Sequence, residues 1–171
     1  MTGTGTSTYR VLGIDPGLNI TGYAVLEFGG REPAIVEAGT IRTSDKDTLA
    51  RRIEQIHADL AALLADLKPD AAAIEQLYAH YKHPRTAILM AHARGVIMLA
   101  CQNAHVTVRN LPSTHVKKSL TGNGHASKAQ MQRSIQAICR LKDLPEPPDV
   151  ADAIAIALCA GRTALSTDYT D

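Results

Sequence analysis

No stretch of the 171-residue sequence reaches the ~18 consecutive apolar residues that a membrane span requires, so no transmembrane helix is expected. Cysteine is scarce and odd in number: Cys101, Cys139 and Cys159 lack close pairing and sit in apolar, helix-like surroundings. Neither a disulfide framework nor a zinc cluster is suggested, and reduced thiols in a cytoplasmic protein are the natural reading. The start, Met1 to Thr8, has no charged segment and no apolar one, so it reads as a disordered tail and not as a signal peptide. No repeat or linker divides the remainder, and a composition 45% hydrophobic and 20% charged suits one core. The expected organisation is a tail over residues 1–8 and a single domain over residues 9–171.

The most informative absence is of acid. Between Gln76 and Lys142 there is no Asp or Glu, whereas ten Lys and Arg and six of the seven histidines fall there; all 17 carboxylates lie outside it. A formal net charge of +1 conceals this segregation. A face that follows phosphates needs it, because Lys and Arg gain affinity by releasing counterions and a neighbouring carboxylate cancels the gain. A solvated basic surface, balanced in space by the acidic helix near residues 45–70, would show the same pattern.

Tyr9 to Asp15 (YRVLGID), Thr21 to Phe28 (TGYAVLEF) and Ala34 to Ile41 read as three strands of a meander, with Pro16, Gly17 and Asn19 in the first turn. A helix is expected from about Thr48 to Lys68, where Leu49, Ile53, Ile56, Leu60, Leu63, Leu64 and Leu67 share a face and Pro69 forces a stop. Asp70 to Glu75 is short and apolar enough for a strand. A second helix follows Pro84 to about Cys101, and its apolar residues nearly encircle it, which predicts burial on more than one side. His105 to Leu111 is another strand and Ser113 to Leu120 a short helix. Ser127 is a natural N-cap for a helix reaching Cys139, and after the tract Pro145 to Pro148 an Ala/Ile-rich helix closes the chain from Asp149 to Gly161. This order predicts an α/β fold: a mixed five-stranded sheet that starts as an antiparallel meander and continues through helix crossovers, with flanking helices.

Four acids stand at the ends of apolar elements. Asp15 ends the first strand in GIDPG, Glu75 ends the strand after the first helix in AAAIEQ, and Asp149 and Asp152 open the last helix at i and i+3, on one face of its first turn. Neighbouring strands would join Asp15 to Glu75, and a helix packed over the strand ends would add the other two. Carboxylates converging in this way suit hard divalent cations such as Mg²⁺ or Mn²⁺, not zinc. Each has an ordinary explanation too: an Asp-Pro-Gly turn, an exposed strand end, a helix cap, a first-turn acid favoured by the helix dipole. Gly122 and Gly124 could admit a close backbone approach or merely end a helix.

The strings LGIDPGLNITGYAV, AAIEQLY, HARG, VKKSLTGNGHASK and DVADAIAIAL together resemble the RuvC-type Holliday-junction resolvases, in order and spacing, over nearly the whole chain. The resemblance implies an RNase H-like fold and an endonuclease that cuts four-way DNA junctions by paired symmetric nicks, leaving 5′-phosphate and 3′-hydroxyl ends, in recombination and repair. It makes Asp15, Glu75, Asp149 and Asp152 the ligands of two Mg²⁺ ions, with Mn²⁺ able to substitute, and places Lys117 and Lys128 near the cut phosphate, Lys128 as a catalytic cation. Tyr78 would stack on a base at the junction centre, and Lys82, Arg85, Lys118 and His125 are further candidates for DNA contact. Paired cuts require a two-fold homodimer, with the second helix, residues 86–101, as its expected interface. Junction-binding and branch-migration proteins are the implied partners. Departures from the family pattern are the extra residues before the first strand, Tyr78 where some members have Phe, and a slightly longer loop over Ala79 to Arg85. Rival readings are an actin/hexokinase-like ATPase, for which 171 residues leave no second half, a catalytically silent nucleic-acid-binding module, and an RNA-cutting relative of the same fold.

Overall fold

The computed structural model describes residues 8–76 and 84–165. Ten elements follow one another: β1 (Tyr9–Asp15), β2 (Ile20–Phe28), β3 (Ala34–Arg42), α1 (Leu49–Leu67), β4 (Ala71–Glu75), α2 (Pro84–Asn103), β5 (Thr107–Leu111), α3 (Ser113–Thr121), α4 (Lys128–Ile138) and α5 (Pro148–Leu165). The sheet order is β3-β2-β1-β4-β5. β1, β2 and β3 form the antiparallel meander, and β4 and β5 continue the sheet parallel to β1. The expected mixed five-stranded sheet is present.

Alternation along the strands divides the core in two. Leu12 and Ile14 of β1, with Ala72 and Ile74 of β4, face α1 and α2; Val11 and Ala73 face α5, α3 and α4. A central strand buried on both faces must be apolar throughout, which is why β1 reads as a continuous run. The same period of two puts Asp15 on the face of Val11 and Glu75 on the face of Ala73, the α5 side in both cases. Because Ile14 pairs with Ile74 in parallel register, the two acids are the next residues on adjacent strands.

α1 is closed at both ends by local chemistry: the Thr48 side chain accepts from Arg51 N, and Lys68 takes a left-handed conformation (φ 46°) before Pro69. Ser127 and Gln130 form a reciprocal capping box on α4. β5 begins at Thr107, two residues later than expected, because His105 adopts a positive φ of 58° and its N–H turns back to the Gln102 carbonyl after α2. Gly122, also left-handed, closes α3 through its N–H to the Lys118 carbonyl, so a helix cap accounts for this glycine.

The expected burial of α2 on more than one side is not found. Ala93, Ile97, Ala100 and Cys101 are buried, but Ile88 and Leu99 are 57% and 53% exposed. α2 packs on α1 and on β5, and among the described residues no further layer covers its outer face.

α5 is the central helix, with every residue from Val150 to Gly161 except Asp152 buried. It lies on β1 and β2 with no side chains between backbones at two places. A Cβ at Gly13 would sit 2.2 Å from the Ala153 carbonyl oxygen, and one at Gly22 would sit 2.1 Å from that of Asp149. Gly13→Ala should therefore push α5 outward and destabilise the protein by about 1–3 kcal/mol, the usual cost of overpacking. Urea unfolding measures this, and a variant as stable as the parent would show that the helix is not held by that contact.

Candidate active site

The site lies where β1 and β4 end beneath the first turn of α5. Asp15 pairs with Gly22 across the β1–β2 ladder, and the Asp149 backbone rests on Gly22. The close seat of α5 thus brings its opening acids over the end of β1. Pro148 is the first residue of α5, so Asp149 is inside the helix and does not occupy the cap position.

The turn after Asp15 is fixed from below. Thr21 Oγ1 donates to the Gly17 carbonyl at 2.7 Å and Thr43 Oγ1 to the Leu18 carbonyl at 2.6 Å. Arg52, only 8% exposed, donates from Nε to Thr43 Oγ1 at 2.9 Å and from its terminal Nη2 to Asn19 Oδ1. The sequence reading did not single out Arg52, although a signal was available: it occupies the apolar row of α1 shared by Ile56, Leu60 and Leu64, where an arginine needs buried partners.

The four acids are electrostatically coupled. Burial, then the fields of Asp152, Glu75 and Asp149, raise Asp15 from 3.8 to about 7, with Lys128 opposing. Asp152 is raised by burial and by Glu75 and Asp149, while Lys128 and Lys117 pull the other way. Four carboxylates and two lysines therefore share one field. A cleft of about 230 Å³ opens beside them, and Glu75, Asp152, Lys117, Lys128, Val116 and Met131 are among its lining residues. Lys128 is the first residue of α4. A cation is disfavoured at a helix N-terminus, and its attraction to Asp15 and Asp152 offsets this.

Arg85, Lys118 and His125 are exposed and do not line the cleft. Tyr78 and Lys82 lie outside the described residues, as does most of the Ala79 to Arg85 loop. Among the described residues no three His, Cys, Asp or Glu side chains are gathered closely enough to form a finished coordination set. The donor chemistry nevertheless fits a hard divalent cation: the ligand atoms available are carboxylate oxygens, and their mutual repulsion, visible at Asp15, is what such an ion would relieve. Cys101 and Cys159 are buried away from the cleft, and burial pushes the Cys101 thiol up to about 11, which leaves it inert.

A five-stranded sheet of this topology, with acids at the ends of its two central strands and on the helix crossing them, defines an RNase H-like domain. The chain matches crossover junction endodeoxyribonuclease RuvC over residues 11–160 and belongs to that family. A RuvC protein of Rhodopirellula baltica is 51% identical over 149 residues, covering 87% of this chain and 84% of the relative. One of Halothermothrix orenii is 39% identical over 153 residues, covering 90% and 92%. Among solved structures, Thermus thermophilus RuvC in complex with a Holliday junction substrate superposes with a TM-score of 0.87 at 31% identity, over 93% of this chain and 97% of that one. The yeast mitochondrial Holliday junction resolvase Ydc2, at 14% identity and a TM-score of 0.62, covering 88% of this chain and 77% of that one, shares the fold. Family membership sets aside the ATPase reading.

The raised Asp15 makes stability depend on pH in a definite sense. Its folded pKa lies above the unfolded value, so the ionised form opposes folding: the cost is absent below 3.8, grows with pH, and is complete above about 7. Without divalent metal, Asp15→Asn should be more stable than the parent at pH 8, by up to about 4 kcal/mol. The difference should vanish near pH 3.5. Urea unfolding in EDTA at the two pH values tests this, and parallel stability curves would mean that burial and the neighbouring acids do not raise Asp15.

Proposed function

We propose that this chain cuts four-way DNA junctions by divalent-metal-dependent phosphodiester hydrolysis. The observation that carries the reading is the shared field of Asp15, Glu75, Asp149 and Asp152 with Lys117 and Lys128 beside one cleft, in a chain of the RuvC family. The four acids would hold two Mg²⁺ ions, or Mn²⁺ in their place, which when bound supply Lewis acidity for attack of water on the scissile phosphate, with 5′-phosphate and 3′-hydroxyl products. The protein's own groups divide the remaining work. Lys128, presented at the start of α4, stabilises charge developing on the phosphate, and Lys117 on α3 holds the phosphate at the cleft. Lys118, His125 and Arg85 are exposed cations that extend the contact along the DNA. Tyr78 and Lys82, three and seven residues beyond Glu75 in the sequence, are assigned to the same contact.

Two symmetric cuts need two sites related by a two-fold axis. The exposed apolar residues Ile88 and Leu99 on α2 support a homodimer formed through that helix. Junction-binding and branch-migration proteins are the partners consistent with this role, in the cytoplasm.

Glu75→Gln and Asp152→Asn should each slow cutting at least ~100-fold, since loss of metal-borne charge stabilisation costs several kcal/mol in the transition state. Junction binding should change little. Single-turnover assays on a synthetic mobile four-way junction, linear duplex and RNA·DNA hybrid, with and without Mg²⁺, measure both quantities. Cutting of the junction by both variants at the parent's rate would end the metal-site reading, and preferential cutting of the hybrid would favour an RNA-directed nuclease.

The two lysines should separate by kinetics. Lys117→Ala should weaken binding to all junction sequences alike and lower the slope of log affinity against log salt by ~0.9. Lys128→Ala should slow single-turnover cutting with binding nearly unchanged. If both variants bind and cut as the parent does, the acid-free stretch is an ordinary solvated surface.

A further inference from the structure

Arg94, in the middle of α2, lines no wall of the carboxylate cleft, yet its guanidinium reaches the end of the sheet. Nη1 donates to the main-chain carbonyl of Glu75 at 2.6 Å, and Nη2 donates to Asn110 Oδ1. The side chain is part-buried, and the ion pairs formed among the described residues, Arg10–Glu27 and Glu32–Arg140, do not include it. A guanidinium withdrawn from water toward two neutral acceptors costs free energy unless both acceptors are well placed.

Both acceptors belong to elements that form the cleft. Glu75 is the last residue of β4 and carries a site carboxylate. Asn110 is in β5, which ends at Leu111 and passes through Pro112 alone into α3, the helix of Lys117. Past Glu75 a main-chain bond from Gln76 N to the Leu111 carbonyl, at 2.9 Å, continues the pairing of the two strands. Arg94 thus bridges the strand that presents an acid and the strand that launches a base, at the point where their ladder runs out.

We propose that Arg94 is a positioning residue, a planar two-pronged clamp that fixes the end of β4 against β5 and so holds the Glu75 carboxylate opposite Lys117 and beside Asp152. This rests on the metal-site reading above. A lysine offers a single ammonium, which cannot reproduce the planar fork.

The test is Mn²⁺ binding to the full-length protein without DNA, followed by the electron paramagnetic resonance of free Mn²⁺, with thermal stability measured in parallel. Glu75→Gln and Arg94→Gln should each weaken binding, Arg94→Gln on the order of tenfold, and Arg94→Lys should fall between it and the parent. The double variant should bind no more weakly than Glu75→Gln alone, because the clamp acts through that carboxylate. A residue with a merely structural role would lower stability and add its effect to that of Glu75→Gln. Should Arg94→Gln fail to fold, Asn110→Ala, a change at an exposed position, carries the same test: binding should weaken in the parent and not in the Glu75→Gln background. Unchanged Mn²⁺ affinity, or additive losses, would overturn the positioning role while leaving the metal site standing. Parent-like binding by Glu75→Gln would overturn both.

Discussion

Contact between bare backbones, α5 on Gly13 and Gly22, sets the geometry on which the rest of this structure depends. Helix and sheet normally keep apart by the depth of their side chains, and the acids at the start of α5 would then stand off from those at the strand ends. Here the carbonyl oxygens of Ala153 and Asp149 occupy the space of the two missing Cβ atoms. The alanines of α5 serve the same end from the other partner, because a helix of small residues can be lowered onto a sheet without strain. The acids of α5 come within the field of those at the strand ends because two glycines on neighbouring strands admit the helix.

That meeting is unfavourable by itself. Burial and mutual repulsion hold Asp15 near neutrality, and Asp152 is displaced in the same direction. The fold sustains this with the two core clusters, one on each face of the sheet, which anchor the acids at the ends of well-packed elements. Conflict between local and global preference of this kind is expected where function, not stability, selected the residues. The lysines are placed to match: Lys128 at a helix start where a cation gains nothing locally, and Lys117 on the short helix that follows β5.

Much of this was legible in the sequence because acids at the ends of apolar runs are conspicuous. Asp15 after VLGI and Glu75 after AAAI could be read as paired strand ends once the sheet order was guessed, and the i, i+3 spacing put Asp149 and Asp152 together without any guess. The supports were not legible, since each depends on elements distant in sequence. Gly22 is an ordinary strand residue until Asp149 is seen above it. Arg52 and Arg94 are ordinary helical arginines until their acceptors, Asn19, Thr43, Asn110 and the Glu75 carbonyl, are brought near by the fold. The apolar character of α2 was read correctly, but composition cannot say whether a neighbour covers a residue, and Ile88 and Leu99 face outward.

The two arginines that brace the strand ends bond to hydroxyl, amide and carbonyl oxygens, and the described ion pairs involve other residues. Neutral acceptors are not screened by dissolved ions as exposed charge pairs are. The frame around the carboxylates is therefore insensitive to ionic strength, whereas attraction between a basic face and phosphates falls steeply with it. Salt would then set how long a nucleic acid stays without altering the shape of the place where it is held, so that occupancy and architecture respond to different variables.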